Sequence, residues 1–191
     1  MDDEVMSAGK KKHSDSKGRI SLQEMTLFSM FGAVIFASKA MMAAIPNVHL
    51  VALFIISLTV VYRVKALYSI AVYILLEGVF FGFTTWFVPY LYVWPILWGV
   101  TMLLPKKMKT AVAVPVYSII GGFHGLLFGT MFAPVHALFF GLNFKGMLAW
   151  IVTGFPYDLI HAVSNTIMCL LVVPLSSALR RMERFSFTRY Q

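Results

Sequence analysis

Charge and cysteine are both scarce in this sequence. Only 13% of its 191 residues are Asp, Glu, Lys or Arg, and its single cysteine, Cys169, stands inside an apolar run. One thiol excludes an intrachain disulfide and any zinc site assembled from cysteines; it reads as a small packing residue. Also missing are a phosphate loop of the form G-x-x-x-x-G-K-[ST], an H-E-x-x-H helix, a G-x-S-x-G elbow and a dinucleotide fingerprint. The chain therefore cannot hydrolyse ATP unaided and is expected not to be an enzyme. Nor are Lys and Arg spread along one exposed face, as tracking a phosphate backbone requires, so the formal net charge of +8 does not point to nucleic acid.

What is abundant is apolar side chain, at 59% of residues against roughly 45–50% in soluble domains. A lipid bilayer is the solvent that composition fits, and anionic headgroups are the natural partners of the basic clusters. Six stretches have the length and apolarity of membrane helices: residues 22–44, 48–62, 66–85, 89–104, 111–132 and 156–174. The first follows a polar tail and reads as a retained span, without the small-residue cleavage site of a signal peptide. Ile45-Pro46-Asn47 signals a turn, and Pro95 predicts a bend or an irregular start in the fourth span. Residues 133–155, with Pro134, His136, Gly141, Asn143, Lys145 and Gly146, look too polar and broken for a span and predict a long cap or re-entrant loop. Pro156 is then the first helical position of the sixth span.

Basic residues set the orientation. Five lie in the N-terminal tail, two after the second span, three after the fourth and four in the C-terminal tail; of the 16 only Lys39 and Lys145 fall elsewhere. The positive-inside rule puts both termini and both basic turns in the cytoplasm, which an even number of spans satisfies. The expected architecture is an all-α integral membrane protein, a bundle of six transmembrane helices over residues 21–182. Cytoplasmic tails of residues 1–20 and 183–191 flank it.

Two carboxylates, Glu77 and Asp158, fall inside apolar runs, where an ionised group costs about 2.5–3.5 kcal/mol and should face protein or a wet cavity. Asp158 in the first turn of the sixth helix would be favoured by the helix dipole, with His161 and Asn165 following on the same face. The plain alternative is that Asp158 caps its own helix and His161 bonds a neighbouring carbonyl. Glu77 could equally be the partner of Lys39. Aromatic residues crowd the outer ends: Trp86, Tyr90, Tyr92, Trp94 and Trp98, joined by Trp150 and Tyr157. An ordinary interfacial belt is one reading; the other is a polar, aromatic cup for a planar or heterocyclic solute. The candidate binding residues are Trp86, Tyr90, Tyr92, Trp94, Trp150, Tyr157, Asp158, His161 and Asn165, with Glu77 and His124. Small residues recur at four-residue spacing as Ser29, Ala33 and Ala37, continued by Ala40 and Ala44, and as Gly121, Gly125 and Gly129, the kind of row that lets helices approach closely. The remaining histidines, His49 and His136, read as interfacial and loop residues. Neither a metal site nor a cofactor is expected.

With these features the chain resembles the S components, the substrate-binding subunits of energy-coupling factor (ECF) vitamin transporters. The resemblance covers nearly everything after the tail. It rests on size, six spans, the A-x-x-x-A pattern at Ala33 and Ala37, and the stretches Ile45-Pro46-Asn47-Val48, Leu75-Leu76-Glu77-Gly78, Tyr90-Leu91-Tyr92-Val93-Trp94-Pro95 and Pro156-Tyr157-Asp158-Leu159-Ile160-His161. Within the family it is most similar to the cobalamin-specific subgroup. The resemblance implies a subunit of a bacterial plasma membrane that captures a vitamin at the outer face. It would then dock through Ala33, Ala37 and Ala40 on an ECF module, a shared transmembrane subunit with two ATPase subunits, and topple within the bilayer to release its cargo. Another solute, such as pantothenate, a pyrimidine or a queuosine precursor, is an open alternative, and cavity volume would separate it from cobalamin. An intramembrane enzyme using Glu77, Asp158 and His161 is the rival of a different class. Cysteines introduced near Asn143 should react with an impermeant maleimide added outside cells, and cysteines near Lys107 only after permeabilisation; the reverse pattern would overturn the orientation.

Overall fold

The computed structural model describes residues 20–188, and every regular element among them is helical. The chain enters α1 (Leu22–Met41) through a capping box: Ser21 Oγ accepts from the Glu24 amide at 3.2 Å and the Glu24 carboxylate accepts from the Ser21 amide at 3.1 Å. It continues through α2 (Val51–Tyr62), α3 (Ala66–Phe81), α4 (Phe87–Met102), α5 (Thr110–Leu126), α6 (Phe128–Phe140), α7 (Phe144–Met168) and α8 (Val172–Thr188), with single 3₁₀ turns at Arg63–Lys65 and Cys169–Leu171. Four segments are long and apolar enough to cross a membrane: Leu22–Met41, Val51–Phe81, Thr110–Phe140 and Phe144–Glu183; Phe87–Met102 is a shorter apolar helix. The architecture is that of a helical membrane protein. The expected tail of residues 1–20 lies, apart from Ile20, outside the described residues, as do residues 189–191 of the C-terminal tail.

The segment Val51–Phe81 is a hairpin. Arg63, at φ 54 and ψ −120, leaves the helical region and turns the chain back. Contacts at both ends fix the directions: Glu24 pairs with Lys65 and Lys39 with Glu77, so α1 and α3 run parallel, while Phe28 packs on both Tyr62 and Tyr68 across the turn. α2 runs antiparallel to both. At 12 residues it is about 18 Å long, and eight of those residues are buried. It is a central helix packed among longer ones, with only Phe54, Val60, Val61 and Tyr62 partly exposed.

The second half of the chain departs from the sequence reading. Residues 133–155 are not an irregular, broken segment; they belong to a helical hairpin whose turn is Gly141 to Asn143. Gly141 ends α6 in the left-handed conformation (φ 64), and the Asn143 side chain caps α7 by accepting from the Gly146 amide at 2.8 Å. α7 runs through Pro156, which is not its first residue, so Asp158 lies well inside a helix. Proline misled as a breaker because each ring removes one hydrogen bond only. Pro95, Pro115, Pro134 and Pro156 all sit inside helices here, as apolar bundles tolerate when neighbours re-satisfy the freed groups. α5 and α6 are nearly one helix bent at Leu127 (φ −90, ψ 1), since the Leu127 amide still bonds Phe123 O at 3.1 Å and the Met131 amide bonds Leu127 O at 2.9 Å.

Glycines clamp this long pair to α7. A Cβ on Gly121 would strike Cys169 Sγ, one on Gly125 would lie 2.9 Å from the backbone of His161 and Ala162, and one on Gly129 would strike the Asp158 carboxylate. Further along the same antiparallel seam His136 stacks on Trp150 at 4.6 Å. The glycine row is thus an internal packing seam. The exposed Ser29, Ala33 and Ala37 lie instead on the outer face of α1, Ala44 is exposed in the turn that follows it, and Ala40 lines the cavity described below, while a Cβ on Gly32 would meet Val72 and the Ser69 carbonyl of α3. Gly125→Ala should lower stability by about 1–3 kcal/mol through overpacking against backbone. Gly154→Ala, whose Cβ meets nothing within 4 Å, should be neutral or stabilising by up to ~1 kcal/mol. Unfolding of the two variants in the same detergent measures the contrast.

Candidate functional site

A charge left over in apolar surroundings must find its opposite, and Lys39 does. From the last turn of α1 its Nζ donates to Glu77 Oε2 of α3 at 2.5 Å and to the Tyr90 hydroxyl of α4 at 3.0 Å, and lies 4.8 Å from the Tyr90 ring centroid. The three helices meet over the N-terminal end of α2. There they enclose a cavity of about 410 Å³, within the roughly 300–1,000 Å³ range of small-molecule sites. Its walls are Lys39, Glu77, Phe81, Trp86, Phe87, Tyr90 and Phe128, and its floor is the turn from Ile45 to His49. Asn47 holds a left-handed conformation in that turn (φ 60), which asparagine tolerates better than most residues. A groove of similar volume along α7, lined by Val48, Leu159, Ile160, Val163, Ser164, Ile167 and Met168, is almost wholly apolar. It offers little to orient a polar solute.

Behind the cavity wall lies a second polar group of residues. His161 is 1% exposed and Asn165 fully buried, and no ring nitrogen of the first and neither amide atom of the second has a hydrogen-bond partner. His161 sits 4.7 Å from His49 and 4.6 Å from Phe128, ring centre to ring centre, and both of those residues line the cavity. Trp94 is buried with its indole N–H unpartnered, 6.0 Å from His49 and 5.5 Å from His124. His124 Nε2 is 3.1 Å from the Val93 carbonyl.

The residues singled out from sequence therefore fall into three places. Glu77, Tyr90 and Trp86 line the cavity; Trp94, His124, His161 and Asn165 lie behind it. Tyr92, Asp158, Trp150 and Tyr157 are not in its wall. The Tyr92 hydroxyl donates to the Met131 carbonyl at 2.5 Å, on the α6 side of α4. Asp158 neither caps its own helix nor opens into the cavity: its Oδ1 accepts from the Gly129 amide at 2.9 Å, a group freed where α5 bends into α6. A carboxylate suits that position at the start of a helical segment. Trp150 belongs to the hairpin and Tyr157 is exposed. Trp98 is at the far end of α4, where its indole donates to the Arg63 carbonyl at 3.1 Å, so it does not join the outer aromatic cluster. Sequence reasoning missed Phe81, Phe87 and Phe128 as cavity walls and gave His49 no role beyond the interface. The turn signal at Ile45-Pro46-Asn47, followed directly by a histidine, was the available hint. Among the described residues no three His, Cys, Asp or Glu side chains converge as a metal site needs.

Comparisons with models of protein families, with curated proteins and with solved structures give no match to this chain. The site must speak through its own chemistry. Lys39→Met leaves the buried Glu77 carboxylate uncompensated and should cost about 3–5 kcal/mol, whereas Glu77→Leu leaves a lysine whose side chain is still 24% exposed and should cost less. The double variant should recover most of that loss. Chemical unfolding in detergent, read as a double-mutant cycle, checks the coupling.

Proposed function

We propose that this chain is the substrate-capturing subunit of an ECF-type importer, taking up a small organic solute at the outer face of a bacterial plasma membrane. The proposal counts six crossings, α1, α2, α3, α4, α5 with α6, and α7 with α8, with both termini cytoplasmic. One observation carries it: the cavity and the basic turns are at opposite ends of the bundle. Tyr90 at one end of α4 lines the cavity, whereas at the other end the Arg63 guanidinium donates to the Met102 carbonyl at 2.6 Å, shortly before Lys106, Lys107 and Lys109. With basic turns inside, the cavity opens outside.

The mixed lining of the cavity, an ion pair framed by aromatic rings, supports capture of a polar, planar molecule. Its volume favours a solute of the size of pantothenate, a pyrimidine or a queuosine precursor over cobalamin, because a corrinoid would have to remain mostly outside a space of about 410 Å³. The exposed small-residue face of α1 supports a docking role for Ala33 and Ala37, since a partner helix could approach it closely, whereas Ala40 lines the cavity. The ATPase subunits of the module would supply the energy this chain lacks the motifs to extract. The enzyme alternative gains nothing from Glu77 and Asp158, which are engaged on different helices by Lys39 and by the Gly129 amide.

A double Ala33→Trp, Ala37→Trp variant should fold with unchanged thermal stability, because both side chains point away from the bundle. It should fail to co-purify with the shared transmembrane subunit and fail to support vitamin-dependent growth. Wild-type co-purification with the variant would remove the docking role.

A further inference from the structure

Buried hydrogen-bonding groups without partners are rare in folded proteins, because each costs about 1–3 kcal/mol of desolvation. Among the described residues 14 such side-chain atoms occur, and six of them lie together behind one wall of the cavity. Both ring nitrogens of His161, both amide atoms of Asn165, Nδ1 of His49 and the indole N–H of Trp94 are all buried and unpartnered. Asn165 lies one helical turn below His161 on α7, and His161 touches the two cavity-lining rings, His49 and Phe128. The N-terminus of α2 adds to the same region: it starts immediately after His49 and Leu50, and no side chain caps it. Helix starts expose backbone N–H groups that require acceptors.

We infer that these residues form an inner subsite of the cavity, reached past Phe128 and His49, that takes the amide-like edge of a planar, uncharged heterocycle. The inference rests on the capture role proposed above. Its chemistry follows from the inventory of donors and acceptors. Trp94 can only donate, Asn165 both donates and accepts, and a neutral imidazole presents one nitrogen of each kind. Such a set matches a lactam or imide edge, in which N–H and C=O alternate. It does not match a carboxylate or an ammonium group, because Lys39, the one Lys or Arg among the described residues lining the cavity, is already neutralised by Glu77, and a second charge would be desolvated without a partner. Phe128 and Tyr90 supply ring faces against which a planar solute would stack.

The test uses the purified full chain in detergent, with uracil, hypoxanthine and nicotinamide as neutral probes and benzoate and benzylamine as charged ones. At least one neutral probe should raise the thermal midpoint, and neither charged probe should. His161→Phe and Asn165→Leu should weaken the binding of that probe at least tenfold while leaving the unliganded midpoint equal or higher, because an apolar side chain removes an unsatisfied group. His161→Gln, which keeps a donor and an acceptor, should bind within a few fold of wild type and guards against misfolding of the apolar variants. Trp150→Phe, on the hairpin, should bind normally. Equal binding by wild type, His161→Phe and Asn165→Leu would mean that the buried groups hold only water, and the inference would fall while the capture role stood. Stabilisation by benzoate or benzylamine alone would overturn the ligand class and leave the cavity as a capture site. If none of the five probes binds, the subsite inference is rejected, and the capture role is judged by co-purification with the transmembrane subunit.

Discussion

The arrangement of the first four helices follows from the need to neutralise one cation. Lys39 is carried toward the bundle by the last turn of α1, and a partly buried ammonium group without a partner there would be costly. Glu77 answers it, which requires α3 to lie beside α1 in the same direction, and the Glu24–Lys65 pair at the opposite end enforces the same register. Because α1 and α3 run parallel, the chain between them must return, and α2 is that return. Tyr90, whose hydroxyl oxygen accepts a second hydrogen bond from Lys39, draws the start of α4 into the group. Cavity, ion pair and topology are one solution to one electrostatic problem.

In the second half the organising force is steric. Gly121, Gly125 and Gly129 allow α5 and α6 to lie against α7 at a distance no larger residue would permit. That proximity holds His161 beside Phe128 and brings Asp158 to the amide exposed at the bend. Close packing of this kind provides helix association that the hydrophobic effect cannot supply among lipid tails.

The first four helices were legible in sequence to within a few residues, because long apolar runs punctuated by Pro46-Asn47 and by Arg63 or Lys106 leave few alternatives. The hairpin beyond Phe132 was not, since Pro134, Gly141, Lys145 and Pro156 carry the local signals of a broken segment and only tertiary support keeps their helices intact. The possible pairing of Lys39 with Glu77 was visible as two isolated charges in apolar surroundings. Facing was harder to read. Tyr90 and Tyr92 are two residues apart, so a helix turns them nearly to opposite sides, one to the cavity and one to the Met131 carbonyl. An aromatic cluster in a sequence has no faces until the neighbours of its helix are known. Phe128 escaped notice for the same reason, being one of 17 phenylalanines with nothing local to distinguish it.

The brevity of α2 has an electrical consequence. α1 spans about 30 Å and α2 only about 18 Å, and His49, just ahead of α2, packs on Trp94, seven residues into α4, so the cavity floor lies roughly 10 Å below the start of α4. In a bilayer whose hydrocarbon core is about 30 Å thick, a molecule resting on His49 would already have crossed part of the transmembrane voltage drop. A full crossing changes the energy of a unit charge by about 2.3 kcal/mol per 100 mV, so a charged occupant would bind with an affinity that tracks the energisation of the cell. A neutral one would be held equally well in a resting and an energised membrane, and its capture would be insulated from the fluctuations of the potential.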